Sequence, residues 1–156
     1  MGGIKVMKQN ETKFWICDNC GKKIENIKDG WVEWLEVKDQ NGNYRNKSIR
    51  IVHRGKCLYN QDLVYKKYKA IVADTDLEDF SGLDGLIDLL SYISEGNFDN
   101  NEEVLEIIKR IHIPGYEEAR LYFEEAIYDG VFEPNTKPGY YSQRDIAAVL
   151  DYIKGK

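Results

Sequence analysis

Two cysteines separated by two residues are followed, after thirty-two more, by a histidine and a third cysteine. Cys17-x2-Cys20 and His53-x3-Cys57 together use every cysteine in a chain of 156 residues and one of its two histidines. Two donors at each end of the gap suit a tetrahedral zinc ion, which takes thiolate sulfur and imidazole nitrogen. Any fold that satisfies the pattern must bring residues 17–20 against residues 53–57. An odd cysteine count leaves a disulfide scheme incomplete, and in a reducing compartment metal binding is the commoner use of such pairs. The expected cofactor is a structural Zn2+ held by Cys17, Cys20, His53 and Cys57.

The residues between the ligands read as a β-hairpin. Phe14-Trp15-Ile16 forms a short strand into the first pair, and Gly21 suits a positive-φ turn behind it. Trp31 to Val37 is rich in strand formers. Asp39-Gln40-Asn41-Gly42-Asn43 is a turn signal with Asn-Gly at its centre. Ser48 to Val52 resumes the strand, with Ile49 and Ile51 on one face and Arg50 on the other.

This order of knuckle, hairpin and second ligand pair resembles the treble-clef zinc finger over residues 14–68. The resemblance implies that Cys17 and Cys20 are the knuckle pair. It places His53 and Cys57 at the entrance of a helix, with x3 spacing instead of the commoner x2. Some treble-clef proteins are nucleases built on a His-Asn-His set, so a metal-dependent nuclease is the catalytic alternative. Here His53 is already a ligand, and His112 lies far along the chain at a helix end, where it suits a structural role.

After Cys57 the pattern becomes helical. Leu58 to Tyr68 is one expected helix, with Leu58, Leu63, Val64 and Tyr68 turned inward. Asp79-Phe80-Ser81 caps a second, with Leu83, Leu86, Ile87, Leu90 and Ile93 as its buried stripe and Gly96 near its end. Asn100 to Glu103 opens a third, with Val104, Ile107, Ile108 and Ile111 facing the core. Pro114 stops it and starts a fourth running to about Tyr128. Ser142 caps a last helix through Ile153. The expected fold class is α+β, a zinc-stapled β-hairpin module followed by a bundle of four or five helices. The expected division is a flexible N-terminus over 1–13, the zinc module over 14–70 and an acidic helical domain over 71–156. The segment IIKRIHIPGYEEARLYFEEAIYDGVF resembles small uncharacterised proteins of low-GC bacteria and their phages, which implies no activity.

Charge divides the chain. Residues 1–57 carry twelve Lys/Arg against seven Asp/Glu, and residues 58–156 carry ten against twenty. Arg45, Lys47, Arg50, Arg54, Lys56, Lys66, Lys67 and Lys69 cluster near Trp31, Trp34 and Tyr44. Such a cluster reads either as a nucleic-acid surface with stacking rings or as a solvated face over a small core. The acidic run from Asp74 to Asp99 reads as a solvated face, with a basic protein partner or mimicry of nucleic-acid charge as alternatives. Glu117, Glu118, Glu124 and Glu125 recur at helical spacing around Arg120, as expected for surface ion pairs. Tyr116, Tyr122, Tyr128, Tyr140 and Tyr141 are expected at core edges or at an interface.

No phosphate-cradling glycine loop, nucleophile elbow or helical metalloprotease motif occurs. No apolar run is long enough to span a bilayer or serve as a signal-peptide core, so the expected location is cytoplasmic. The reading is a non-enzymatic binding or regulatory protein that engages another protein through its helices. A nucleic-acid-binding protein using the basic module is the alternative of a different class.

Overall fold

The hairpin expected between the ligand pairs is the centre of the computed structural model, which describes residues 12–156. Strands Gly30–Lys38 and Tyr44–His53 pair antiparallel. Between them the Asp39 carboxylate accepts from the backbone N–H groups of Asn41 and Asn43, and Gly42 takes the positive φ that the turn requires. In chain order these strands are β3 and β4. Ahead of them, β1 (Trp15–Ile16) and β2 (Lys23–Ile24) form a second, two-stranded antiparallel sheet. Most of the flexible N-terminus expected over 1–13 lies outside the described residues. At its end, the Thr12 hydroxyl lies 3.2 and 3.1 Å from the carbonyl oxygens of Arg110 and Ile111.

Besides the two-residue β2, a longer strand was not expected. Residues 71–76 fall in the part read as helical, yet Ile71–Asp76 forms β5 and makes β3 the middle strand in the order β4-β3-β5. The segment is rich in β-branched residues but short and one-third acidic, with no clean alternation. Its conformation is decided by the free edge of β3, whose backbone groups need partners. The other edge is covered too. Around Asn46, β4 bonds the backbone of Asn97 and Asp99, and the Arg45 guanidinium reaches the carbonyls of Gly96 and Phe98. A β-bulge opposite Trp34 puts Ser48 at φ +60°, and the Glu103 carboxylate accepts from the N–H groups of Ser48 and Ile49 that the bulge leaves unpaired.

The helices are α1 (Gln61–Tyr68), α2 (Gly82–Glu95), α3 (Asn101–His112), α4 (Tyr116–Ala119), α5 (Phe123–Tyr128) and α6 (Gln143–Lys154). The expected caps at Asn100 and Ser142 are present, each accepting from a backbone N–H of the first turn. Val104, Ile107 and Ile111 of α3 are buried as expected. The expected fourth helix is broken, because residues 120–122 tighten into a 3-10 turn between α4 and α5.

Two apolar stripes are corrected. Leu58, Leu63 and Tyr68 are exposed, because α1 is tethered by polar contacts: Gln61 donates to the Ala70 carbonyl and accepts from the Val72 N–H. On α2 the inward residues are Gly85 and Leu89, while Leu83, Ile87 and Leu90 face out. The reason is Gly85. A Cβ there would lie 2.2 Å from the Phe80 backbone, so its bare face lets α2 press on the 3-10 turn of Leu77–Phe80.

The sheet, α2 and α3 share one apolar cluster, in which Trp34 packs against Phe80, Tyr92 and Phe98 with ring centroids 5.9 to 6.4 Å apart. Tyr116, Ala119, Phe123, Ala126, Phe132, Ile146 and Val149 form a second cluster among α4, α5 and α6. His112 contacts the Phe80 carbonyl at 2.8 Å, a structural role.

Glu117 was expected at the surface and is 1% exposed. It accepts two bonds from Arg110, at 2.7 and 2.8 Å, one from Arg120 at 2.9 Å, and one from the Ile16 N–H at 2.9 Å. Arg110, itself buried, also donates to Asp18 and to the Ile16 carbonyl. Burial alone would push the Arg110 pKa down, but hydrogen bonds and charge from Glu117 and Asp18 more than reverse it, so the guanidinium stays ionised. Arg110→Met takes two of the four bonds from the buried Glu117, leaving it Arg120 and the Ile16 N–H, and is expected to cost about 2–3 kcal/mol, read as a lower urea midpoint. Glu124→Ala, at an exposed position of α5, is expected to leave the midpoint nearly unchanged.

Candidate metal centre

Cys17 follows β1 and begins a turn that Gly21 closes at φ +74°. Within it the Gly21 N–H bonds the Cys17 carbonyl, and the Cys17 N–H bonds the Lys22 carbonyl. The Asn19 N–H points at the Cys17 sulfur, 3.4 Å away. This knuckle sets Cys17 and Cys20 side by side. His53 is the last residue of β4, and a turn through Gly55 at φ +80° brings Cys57 back beside it. Helix α1 begins only at Gln61, after Leu58, Tyr59 and Asn60. The second pair therefore sits on a turn ahead of the helix, with three residues between Cys57 and its start.

The four side chains converge. One donor atom from each of Cys17, Cys20, His53 and Cys57 lies within 4.8 Å of all the others. His53 Nδ1 is 3.4 Å from the Cys20 sulfur and 3.7 Å from the Cys57 sulfur. With Zn–S of about 2.3 Å and Zn–N of about 2.0 Å, the N···S edge of a tetrahedron is about 3.5 Å. These gaps match it. His53 Nε2 lies 3.0 Å from the Lys23 carbonyl, which cannot donate a proton. The tautomer protonated at Nε2 satisfies that contact and leaves the Nδ1 lone pair aimed at the sulfurs, the usual support for a metal-bound histidine.

The three thiols are unequal. Cys17 and Cys57 are buried and Cys20 is exposed. Burial pushes the Cys17 thiol up, but hydrogen bonds from the backbone of Cys20, Asn19 and His53 outweigh it and bring it down to about 6. Burial pushes the Cys57 thiol up, and the neighbouring Cys17 and Cys20 add to the rise.

The three arginines of the basic cluster are engaged in ion pairs. Arg50 is largely buried, pairs with the fully buried Glu33 at 2.7 Å and donates to the Cys57 carbonyl at 3.0 Å. Glu33 also accepts from the Tyr59 N–H, so this pair holds the backbone on both sides of Leu58. Burial raises the Glu33 pKa despite the opposing pull of Arg50. Arg45 pairs with Asp99, and Arg54 pairs with Asp76 while covering the Trp31 ring. Lys47 lies over Tyr68, and Lys56, Lys66, Lys67 and Lys69 are exposed. Trp34 is buried in the core, Trp31 is half-buried, and Tyr44 is exposed beneath Lys38.

A shallow depression of about 300 Å3 beside His53 is lined by residues of both charges: Lys23, Arg54 and Lys56 with Glu25 and Asp29. His112 is engaged elsewhere and adds nothing to it. Sequence reasoning missed Asp18, which lies inside the knuckle. Its carboxylate accepts from the Ile51 N–H at 2.8 Å and from Arg110 at 2.7 Å, and pairs with Arg120 at 3.4 Å. Its position between the two cysteines was visible, but its partners are far along the chain.

Compared with protein-family models, curated proteins and solved structures, the chain matches none. In metal-free protein a maleimide is expected to label Cys20 first and the buried Cys17 and Cys57 later. Added Zn2+ is expected to protect all three, as peptide mass spectrometry would show.

Proposed function

We propose that this chain is a zinc-stabilised binding or regulatory protein, whose metal is structural and whose helical part engages another protein. The observation that carries the reading is the convergence of four protein donors within 4.8 Å of one another, with His53 Nδ1 3.4 and 3.7 Å from two of the sulfurs. Three thiolates and one imidazole fill the coordination sphere, which leaves no position for a reacting water or substrate. The donor set is also softer than magnesium or calcium requires. Loading such a site ties β1, β2 and β4 together through bonds stronger than any contact the short strands make with one another.

The protein-partner reading is favoured over the basic-hairpin reading by how the cations are used. The three arginines of the basic cluster are paired with Asp99, Glu33 and Asp76. What remains for a phosphate backbone is the lysines, of which Lys47 and Lys67 share the Tyr68 ring. Among the described residues, no helix is long and apolar enough to cross a membrane.

The purified protein is expected to carry one Zn2+ per chain by elemental analysis, and Cys57→Ser or His53→Ala to lose it. Chelation at pH 7 is expected to lower the thermal midpoint, and acidification to release metal as protons compete for sulfur and imidazole. Lys56→Glu/Lys66→Glu/Lys67→Glu is expected to leave capture of a protein partner unchanged in cross-linking experiments. If instead the wild type binds a 20-base-pair duplex with an affinity that falls steeply with salt, and this triple variant abolishes it, the nucleic-acid reading replaces the present one.

A further inference from the structure

Helix α2 is held by one face and offers the other. Gly85 and Leu89 are buried, and Tyr92 and Ile93 pack against the same core. On the opposite side Leu83 is 81% exposed, Ile87 62% and Leu90 44%. Their i, i+4, i+7 spacing makes one continuous apolar stripe. The close approach of Gly85 to the Phe80 backbone fixes the rotation of the helix, so this exposure belongs to the packed state.

The stripe has a charged border of one sign. From Ala70 to Ile108 the sequence has eleven Asp and Glu and no Lys or Arg. Several of these acids have partners: Asp76, Asp99, Glu102 and Glu106 are in ion pairs, and Glu103 caps the bulge of β4. Asp84, Asp88 and Glu95 of α2 make no ion pair among the described residues. They run beside the apolar stripe along the exposed side of the helix.

We propose that α2 docks a basic amphipathic helix of a partner protein, with its apolar residues along Leu83, Ile87 and Leu90 and its lysines or arginines against Asp84, Asp88 and Glu95. This rests on the reading that the helical part engages a protein, and names the surface and the chemistry of its occupant. An unrelieved acidic border repels a second copy of itself and an anionic bilayer alike, whereas a cationic helix gains both contacts at once.

The test uses the full-length zinc-loaded protein and a fluorescein-labelled fifteen-residue peptide of leucine and lysine with one apolar helical face. A scrambled peptide of the same composition is the control, and binding is read by anisotropy. Leu83→Ser/Ile87→Ser is expected to weaken binding at least about tenfold, given the apolar area lost. Asp84→Lys/Asp88→Lys is expected to weaken it by a similar factor at low salt. All four positions are exposed, so an unchanged thermal midpoint confirms that each variant is folded. Hydrogen exchange is expected to show peptide-induced protection of α2.

Equal affinity for the scrambled peptide, unaffected variants, or protection elsewhere overturns the proposal. A dimer dispersed by Ile87→Lys overturns it in favour of self-association. Protection of α2 in the free protein that disappears on deleting residues 1–11 overturns it in favour of the chain's own segment. A native partner cross-linked only to α3–α6 overturns this inference but leaves the protein-binding reading standing. No protein partner in cross-linking experiments counts against that reading, whatever the peptide does.

Discussion

A buried guanidinium joins the two halves of this protein. Arg110, near the end of α3, donates to Glu117 on α4, to Asp18 inside the metal knuckle and to the carbonyl of Ile16 on β1. Three chain segments are thereby held at one point. Arg110 and Glu117 are both out of water and are stable only as a set, because each ion's desolvation is offset by the other, with Asp18 adding its charge from a more accessible position. Arg120 completes the set from the rim.

The metal centre inherits its geometry from this arrangement. Asp18 faces inward to Arg110 and to the Ile51 N–H, which holds the Cys17–Cys20 turn against the end of β4, where His53 sits. On the far side, Glu33 and Arg50 hold the backbone around Cys57. Both candidate donor pairs are thus braced by ion pairs with at least one buried partner. The residues that brace them are ones that composition alone assigns to the surface or to nucleic acid.

Much was legible in order and little in depth. The four ligands, the Asn-Gly turn, the strands around it and the caps of α3 and α6 follow from local chemistry, and the structure contains them. Leu83, Ile87 and Leu90 were read as a core stripe because their periodicity is that of a buried face. Periodicity reports that a helix has an apolar side but not which side meets the core. Where apolar residues surround most of a helix, the rotation is set by the tightest contact, here Gly85 on Phe80. Likewise β5 follows from an edge of β3 that no local window contains, and Glu117 from an arginine on a neighbouring helix.

The sequence by itself determined the donor set and the local elements, because ligand chemistry, turn residues and helix caps act over a few neighbouring residues. Only the tertiary structure decided which charges are buried, how α2 is rotated and where β5 pairs. Those outcomes depend on desolvation and close packing between segments as much as a hundred residues apart, such as Ile16 and Glu117. Four side chains mark a candidate metal site in the sequence, but only the fold brings them within 4.8 Å of one another.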